Sequence, residues 1–420
     1  MHVLIIPSEF YDDKNVPLAG IFQKDQATLI AKNGNTVGVL AVKPKFTLKE
    51  LIYSTVKRKI GYLNYDSTLT CWFHYLLSYF FINSRLRIYQ KEKIRIAKYL
   101  GSYKFFTGNQ MAKLDFWKTL SEKSLNSYIQ KFGKPDVLHT HNIEFAGMVG
   151  IFLSRKYKIP LVHTEHSCTH KFGTYKEHES QAIANAFNKI NHKFAVSPSL
   201  AELIESKYEL KNGSVGWHAN VIDKDFQEVT ADKKEDNNRN IMILSIGSLI
   251  SIKRHDFLIE AFTRSFKNDS NIFLNIIGDG VLMEPLKDKI NSLKMSGKIK
   301  LCGLMDRKMI KKELRRCDFL VHPSDYETFG VVLIEALALG KPVVATKCGG
   351  PECIVNSSNG ILVERDSINS LSSGLEAMSK SFDSYNAQQI KNDLINQFGS
   401  NSFLKKTKEI YQTAINDYNN

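Results

Sequence analysis

The stretch DFLVHPSDYETFGVVLIEALALG, residues 318 to 340, decides the fold of this chain. The apolar run that ends at His322 predicts a buried strand, which the polar residues after it cannot continue. Gly330 then begins an apolar, helix-compatible segment that ends at Gly340. A buried strand, a loop and a buried helix in this order are typical of a βαβ unit in a parallel sheet.

The same stretch carries two glutamates, Glu327 in the loop and Glu335 about one and a half turns inside the helix. A helix that begins at a glycine presents unpaired N–H groups and the positive end of its dipole, which suits a diphosphate. Ionised carboxylates accept hydrogen bonds from hydroxyl groups beside such an anion. The segment therefore predicts a site for a nucleotide sugar. Chance is the alternative: Glu327 is then a plain loop residue and Glu335 a solvated helix position.

Apolar runs that predict buried strands recur along the chain, with helical patterns between them. The N-terminal runs are His2–Pro7, Thr36–Val42, Asp136–His141, Pro160–Glu165 and Lys193–Ser197. The C-terminal runs are Ile241–Ile246, Asn271–Ile277, Ile299–Cys302, Phe319–His322, Pro342–Thr346 and Gly360–Val363. This alternation predicts an α/β fold with two Rossmann-like, doubly wound halves.

The length of 420 residues supports two domains, because single cores rarely grow beyond roughly 300 residues. We predict an N-terminal domain over residues 1–215 and a C-terminal domain over residues 216–400. A helix over residues 401–420 is expected to pack back on the N-terminal domain. Ligands of doubly wound sheets bind at the carboxyl ends of the strands, which places Glu327 at the edge where a ligand is expected.

The net charge of +14 indicates anionic partners. Residues 43–104 hold thirteen Lys and Arg against three acidic side chains, and the aromatic run from Trp72 to Phe81. This mixture predicts peripheral contact with anionic lipid. The alternative is a helical subdomain whose aromatic side chains form a core beneath a solvated basic face. A non-enzymatic nucleic-acid-binding protein is a further alternative, but no nucleic-acid-binding module is recognisable, so no nucleic acid partner is expected.

Cysteines and the N-terminus both point to the cytoplasm. Six cysteines without a CxxC pair indicate reduced thiols. The first residues read as a buried strand and not as a signal peptide, and no apolar run reaches the ~18 residues that span a bilayer. We expect a cytoplasmic protein that associates with the inner face of the membrane.

Five histidines that lie close together in the sequence raise the question of a metal site. They are His139, His141, His163, His166 and His170. The spacing of His163 and His166 at a strand end directs their side chains to opposite faces. No metal and no cofactor are therefore expected.

With two such halves and this pair of glutamates, the chain resembles, over nearly its whole length, the retaining GT-B glycosyltransferases of glycosyltransferase family 4. The family pattern is Glu, seven residues and Glu, with Phe-Gly after the first, as in Glu327-Thr-Phe-Gly330 to Glu335. The resemblance implies two domains that face an interdomain cleft. It further implies metal-independent transfer of a hexose-type sugar from a UDP-sugar or GDP-sugar to an acceptor hydroxyl, in bacterial polysaccharide or lipid-linked glycan assembly. A nucleotide-sugar epimerase of the same fold is the alternative.

The resemblance also assigns expected roles to single residues of the C-terminal half. Glu327 lies near the hydroxyls of the transferred sugar, and Glu335 binds the ribose. Lys253 matches the family lysine that stabilises the departing diphosphate. The residues around the diphosphate and nucleotide are Ser248, Arg254, Gly278, Gly280, Phe329, Gly330 and Val331.

Two of these positions depart from the family pattern. Ser248 stands where the family usually has an arginine, and Arg254 stands where it usually has a glycine, so Arg254 is a candidate replacement for that arginine. The Gly278-Asp-Gly280 loop is weak evidence by itself, because a plain turn explains it equally well. In the N-terminal half, the resemblance makes Gly20 a diphosphate-facing glycine and His166 the catalytic-site residue nearest the anomeric carbon.

Overall fold

The computed structural model describes residues 1–8, 21–45, 85–102, 110–173, 175–227 and 240–419. The chain divides into two compact units. The first comprises Met1–Val196, Ala201–His218 and Leu404–Asn420, and the second comprises Ser197–Leu200 and Ala219–Phe403. The chain thus leaves the first unit at His218, close to the boundary that the sequence suggests, and returns to it at Leu404.

The first unit contains a sheet of eight strands. The strands are β1 (His2–Ile6), β2 (Thr36–Lys45), β3 (Arg85–Lys91), β4 (Ile94–Ser102), β5 (Val137–His141), β6 (Leu161–Glu165), β7 (His192–Ala195) and β8 (Gly216–Trp217). Their order is β3-β4-β2-β1-β5-β6-β7-β8, and all pairs are parallel except β3 with β4. Because the chain crosses from β1 outward to β2 and later to β5 on the other side, the carboxyl ends of β1 and β5 flank a topological switch point.

Helices cover the faces of this first sheet. They are α1 (Ile21–Lys32), α2 (Gln110–Phe132), α3 (Met148–Tyr157), α4 (Thr169–Phe172) and α5 (Glu177–Asn188), with a π-helical turn at Ile143–Gly147. Helix α6 (Pro198–Lys207) contains residues of both units. Leu4, Leu138 and Val149 are fully buried in a core that α2 and α3 share with the sheet, which explains why β1 is almost entirely apolar.

The hairpin of β3 and β4 corrects the interpretation of residues 43–104. For residues 85–102, the alternative of a helical subdomain is wrong: β4 pairs in parallel with β2, and β3 forms the antiparallel edge of the sheet. The alternation in Arg85-Leu-Arg-Ile88 is a strand signal that the count of positive charges obscured. The rest of the segment, including the aromatic run from Trp72, lies outside the described residues, as does Gly20.

The second unit contains a parallel sheet of six strands. They are β9 (Ile241–Ile246), β10 (Ile272–Ile277), β11 (Ile299–Leu301), β12 (Phe319–His322), β13 (Val343–Thr346) and β14 (Gly360–Val363). Their order, β11-β10-β9-β12-β13-β14, is the Rossmann order 3-2-1-4-5-6. The prediction of two doubly wound Rossmann-like halves is confirmed.

A short helix precedes the first strand of the second unit, and the longer helices follow its strands. They are α7 (Lys224–Gln227), α8 (His255–Phe266), α9 (Met283–Ser292), α10 (Arg307–Arg316), α11 (Val331–Ala338), α12 (Ile368–Ser381) and α13 (Ala387–Phe398). The apolar face of α8, with Leu258 and Phe262, packs on the sheet together with Leu375 of α12. All three side chains are fully buried, as a helix with one apolar stripe requires.

The last helix, α14 (Ser400–Asn419), belongs to the first unit from Leu404 onward. There the Tyr411 hydroxyl lies 2.8 Å from Nδ1 of His139 on β5, and the Thr407 hydroxyl lies 2.9 Å from Nε2 of His218. Both contacts are buried. These hydrogen bonds connect α14 to β5 and to His218 within the first unit.

Within the described ranges, no helix combines the length and apolar character that crossing a bilayer requires. Five of the six cysteines fall in the same ranges, and each is a free thiol.

Candidate active site

The site in the second unit lies where two loops meet at the switch point of its sheet. Strands β9 and β12 are neighbours, although two strands separate them in sequence. The loop after β9 contains the 3-10 turn Ser251–Lys253, and the loop after β12 leads to Gly330. The Asp325 N–H donates to the Ile252 carbonyl at 2.8 Å and joins the two loops. This is the position at which doubly wound sheets bind ligands.

Two residues that the sequence predicts for one site, Lys253 and Glu327, are in direct contact. The Lys253 Nζ lies 2.5 Å from Oε2 of Glu327, and both side chains keep about a fifth of their surface exposed. The Nε2 of His322, at the end of β12, lies 3.2 Å from the same oxygen. Because an ionised carboxylate can only accept, His322 donates through Nε2.

The charges of this cluster follow from its surroundings. Burial raises the pKa of Glu327, but the Lys253 ammonium and the His322 hydrogen bond outweigh it and hold that pKa well below its usual range. Burial lowers the pKa of His322, and the Lys253 charge lowers it further. At neutral pH Glu327 is therefore an acceptor that cannot serve as a general acid, and His322 is neutral. The ammonium of Lys253 has three donors, so one contact leaves it able to bind a further anion.

Gly330 places the first turn of α11 beside this cluster. Its φ of 104° lies in the left-handed region, which favours glycine. The first N–H groups of α11 have no acceptor within the helix, so they and the helix dipole favour an anion there. Phe329 and Val331 flank this turn, as the predicted diphosphate contact requires.

A second loop fixes the backbone of Glu327. Its N–H donates to the Cys348 carbonyl at 3.1 Å, and its carbonyl accepts from the Gly350 N–H at 2.7 Å. A Cβ on Gly350 would lie 2.4 Å from the Phe329 backbone, so only glycine allows this approach. The Glu352 carboxylate accepts from the backbone N–H groups of Cys348 and Gly349 and thereby closes the loop. The backbone of Glu327 is therefore held on both sides, and its predicted role at the sugar stays a prediction.

Glu335 is buried on α11, with 9% of its surface exposed, and the alternative of a solvated helix position is also wrong. Its Oε1 lies 3.4 Å from Nη2 of Arg307, whose Nη1 lies 2.8 Å from Oδ2 of Asp223. Sequence reasoning missed Arg307 as a site residue, although a cation at the first position of a helix is an unfavourable placement that could have drawn attention.

The remaining candidates of the second unit have structural reasons for their identity. A Cβ on Gly278 would lie 1.9 Å from the Gly247 carbonyl, and one on Gly280 would lie 2.5 Å from that of Leu249. The two glycines therefore allow the loops after β9 and β10 to pack backbone against backbone. Ser248 lies exposed on the first of these loops. Their predicted contact with the nucleotide stays a prediction.

Arg254 occupies the position of the usual family glycine with a φ of 48°, a left-handed conformation that explains why glycine is favoured there. Its guanidinium pairs with Asp366 at 2.5 Å and lies 3.4 Å from the centre of the Phe257 ring. Asp256 is its second ionic partner. The structure therefore joins Lys253 to Glu327 but directs Arg254 to other partners.

In the first unit, His166 lies at the carboxyl end of β6, beside the end of β5. Its Nε2 is 2.9 Å from Nδ1 of His141, and its N–H donates to Asn142 and to Glu165. Burial lowers the pKa of His166 to about 3 against the smaller opposing effect of Glu165, so its ring is neutral. The Phe22 ring packs against it at 4.4 Å. Its predicted place near the reacting carbon stays a prediction.

Glu165 is the residue of this edge that sequence reasoning missed. It is fully buried and accepts the backbone N–H groups of Ile143, His166 and Ser167 at 2.7 to 2.9 Å. Burial raises the pKa of its carboxyl, but the histidines His170 and His163 outweigh burial and hold it well below its usual range. The histidines thus pair with hydroxyls, with each other and with one carboxylate. In the part of the chain that the structure describes, no group of three or more His, Cys, Asp or Glu could hold a metal ion.

Comparison with known sequences agrees with this geometry. The family model described as "Glycosyl transferases group 1" matches residues 226–393, and that described as "Glycosyltransferase Family 4" matches residues 103–226. An uncharacterized glycosyltransferase of Methanocaldococcus jannaschii is 28% identical over 306 residues, which are 67% of this chain and 76% of the relative. The N-acetylgalactosamine-N,N'-diacetylbacillosaminyl-diphospho-undecaprenol 4-alpha-N-acetylgalactosaminyltransferase of Campylobacter jejuni is 33% identical over 187 residues, 44% of this chain and 46% of the relative.

Solved structures share the fold. Sucrose-phosphate synthase from Thermosynechococcus elongatus has a TM-score of 0.68 at 16% identity, with 98% of this chain and 99% of that chain covered. HepE of Anabaena in complex with UDP and glucose has a TM-score of 0.64 at 16% identity, with 97% and 98% covered.

Fold and sequence together define the class of protein, a glycosyltransferase of the GT-B fold. The chain belongs to this class: the model of the glycosyl transferases group 1 and that of glycosyltransferase family 4 match adjacent parts of it, which together span residues 103–393.

Proposed function

We propose that the protein transfers a hexose-type sugar from a nucleotide-sugar donor to an acceptor hydroxyl with retention of the anomeric configuration. The contact between Lys253 and Glu327 beside the first turn of α11 carries this proposal. It places a cation, an obligate acceptor and free backbone N–H groups within one site. A sugar diphosphate needs all three: donors for its phosphates and an acceptor for its sugar hydroxyls.

The reaction follows from where charge develops. The bond between C1 of the sugar and the β-phosphate oxygen breaks, and the β-phosphate gains negative charge that Lys253 and the N–H groups of α11 stabilise. The acceptor oxygen attacks C1 from the same face, and its proton passes to the departing phosphate. Glu327 orients the sugar by accepting its hydroxyls, since its carboxyl stays ionised. This scheme requires neither a protein nucleophile nor a metal ion.

A glycan or a lipid-linked glycan is the acceptor class that we propose, within polysaccharide or lipid-linked glycan assembly. The relative from Campylobacter jejuni is named for a diphospho-undecaprenol acceptor, and a further relative, from Streptococcus pneumoniae, is named alpha-monoglucosyldiacylglycerol synthase.

We propose that the protein works at the cytoplasmic face of the membrane and that the basic residues of 43–104 contact anionic lipid. Neutralising Lys57, Arg58 and Lys59 should then reduce sedimentation with anionic liposomes, and full retention would reject the contact.

The donor is identified by a panel of UDP- and GDP-sugars in a thermal-shift assay, followed by slow hydrolysis of the donor without acceptor. We expect one nucleotide class to raise Tm and to release its nucleoside diphosphate, and NMR of the first product to show the anomeric configuration of the donor. Inversion would exclude the retaining mechanism. Conversion of the donor to an isomer without any acceptor would make the protein an epimerase.

A further inference from the structure

Arg307 is the first residue of α10, directly after the capping Asp306. A cation is disfavoured at this end of a helix, because the helix dipole is positive there. Residues that depart from such a local helix preference often have a functional role. The contacts of Arg307 indicate this role. Its guanidinium bridges two carboxylates from distant parts of the sequence, Asp223 at 2.8 Å and Glu335 at 3.4 Å.

The three side chains form a compact cluster with little solvent to screen it. Arg307, Asp223 and Glu335 expose 25%, 18% and 12% of their side chains. Two carboxylates this close repel each other unless a cation lies between them. A guanidinium carries five N–H donors in a rigid plane, so one arginine can hold both carboxylates in fixed directions.

We propose that Arg307 is a positioning residue for nucleotide recognition: it fixes the Glu335 carboxylate in the orientation that accepts the ribose hydroxyls of a nucleoside diphosphate. This inference rests on the proposed function, in which Glu335 binds the ribose. Arg307 acts through the carboxylate, whose two oxygens offer about four acceptor directions. The contact with Arg307 occupies one acceptor direction of the Glu335 carboxylate and thereby fixes where its remaining acceptor directions point.

A purely structural role makes a different prediction. If Arg307 only fastened the segment around Asp223 to α10, its loss would lower stability, but the discrimination between ribose and deoxyribose would not change. A double-mutant cycle that pairs the substitution of Arg307 with the removal of one ribose hydroxyl therefore separates the two roles. It isolates the interaction energy between the Arg307 side chain and that hydroxyl.

The experiment uses the full-length protein and isothermal titration calorimetry. UDP, GDP and ADP are titrated first, and the nucleotide that binds most tightly is then compared with its 2′-deoxy and 3′-deoxy analogues. For the wild type we expect the loss of a recognised hydroxyl to raise Kd about tenfold. For Arg307→Ala we expect Kd of the parent nucleotide to rise about tenfold and the ratio of deoxy to parent Kd to fall to about one.

Three further variants sharpen the result. Arg307→Lys keeps the charge but not the planar fork, so its discrimination should lie between those of the wild type and Arg307→Ala. Adding Glu335→Ala to Arg307→Ala should cause little further loss, because the two residues act as one unit. Arg316→Ala is the matched control, since Arg316 lies on the same helix with 61% of its side chain exposed and pairs with Glu313; its Kd ratio should equal that of the wild type.

Each outcome decides between the possibilities. A collapsed ratio in Arg307→Ala, with the wild-type ratio in Arg316→Ala, supports the inference. An unchanged ratio in Arg307→Ala, even with a lower Tm, overturns it and leaves the proposed function intact. If the wild type binds none of the three nucleotides, the proposed function fails and the inference fails with it.

Discussion

The two sheets share a doubly wound topology, yet the carboxyl edges at their switch points differ in electrostatics. The edge of the second sheet is built from ion pairs, with Lys253 against Glu327 and Arg307 between Asp223 and Glu335. The edge of the first sheet holds neutral histidines, such as His141 and His166 in mutual contact. The charged edge of the second sheet is the one at which we propose that the nucleotide binds. The same topology thus occurs with two edges of different charge, and the side chains at the strand ends decide which ligands each edge can bind.

Loss of the central cation of the second edge should have the largest effect. We expect Lys253→Ala to lower kcat by about a hundredfold or more, since we propose that Lys253 stabilises the phosphate that gains charge in the transition state, while KM for the donor changes much less. Steady-state kinetics with a saturating acceptor measures both values. Lys287→Ala, which removes an exposed lysine paired with Glu284, is the control. Equal changes in kcat and in donor binding would contradict a role in the transition state.

The second largest effect concerns pH: acid should destabilise the edge of the first sheet more than that of the second. Burial lowers the pKa of His166 and of His218 to about 3, and it holds the pKa values of His139 and His141 well below the ordinary value. Because these folded-state values lie below the unfolded value of about 6.5, the unfolded chain binds more protons below that pH. The stability that these histidines contribute is therefore fully present above pH ~6.5 and is lost as the pH falls toward their folded-state pKa values, by about 2 kcal/mol at pH 5 for each of His166 and His218.

Hydrogen exchange at pH 7.5 and pH 5 checks this difference between the units. Amides of β5 and β6 should lose more protection than those of β9 and β12, after correction for the intrinsic exchange rate. His218→Asn should flatten the pH dependence of Tm, whereas His178→Asn, at an exposed position on α5, should not. Equal loss of protection in both sheets would show that the first edge is not the more acid-sensitive one.

A smaller effect is expected at the ribose end of the second edge. Glu335→Ala should raise KM for the donor by roughly tenfold and change kcat little, because unpaired ribose hydroxyls cost about 1 to 3 kcal/mol in the ground state and the transition state alike. Donor titrations at a fixed acceptor concentration give both constants. Glu284→Ala, at an exposed position on α9 where Glu284 pairs with Lys287, serves for comparison. Unchanged donor kinetics would remove the ribose role from Glu335.

The smallest effect concerns the tie between α14 and the first edge. Tyr411→Phe removes the hydroxyl that meets His139 and should lower the free energy of unfolding by about 1 kcal/mol. Tyr418→Phe, near the exposed end of the same helix, should have no effect. Urea denaturation of both variants measures the difference. A neutral result for Tyr411→Phe would show that packing alone holds α14 in place.

Sequence patterns predicted most of the fold because buried parallel strands are continuously apolar. Phe319–His322 and Val343–Thr346 are buried on both faces, and their sequences leave no other interpretation. Strand β3, at the edge of the first sheet, and its neighbour β4 escaped prediction because they carry arginines and lysines between their apolar residues, so charge dominated the interpretation. An edge strand is covered less completely, and its signal is weaker for that reason.

The site shows the same division. The glutamate pattern and the glycine before α11 identify Glu327, Glu335 and Gly330 from the sequence, because spacing within one loop and one helix is a local property. Arg307 and Glu165 escaped prediction because nothing near them in the sequence names their partners. Arg307 meets Glu335 across 28 positions of the chain, and Lys253 meets Glu327 across 74.

By itself, then, the sequence determined two doubly wound halves, a glycine-initiated helix and the residues beside it, since apolar periodicity and turn chemistry act over a few residues. Only the tertiary structure decided which charges meet. It joined Lys253 to Glu327, directed Arg254 to Asp366, and brought Arg307 between two carboxylates. The physical reason is that an ion pair depends on distance in space and on burial from water, and both are set only when the strands have assembled in their order.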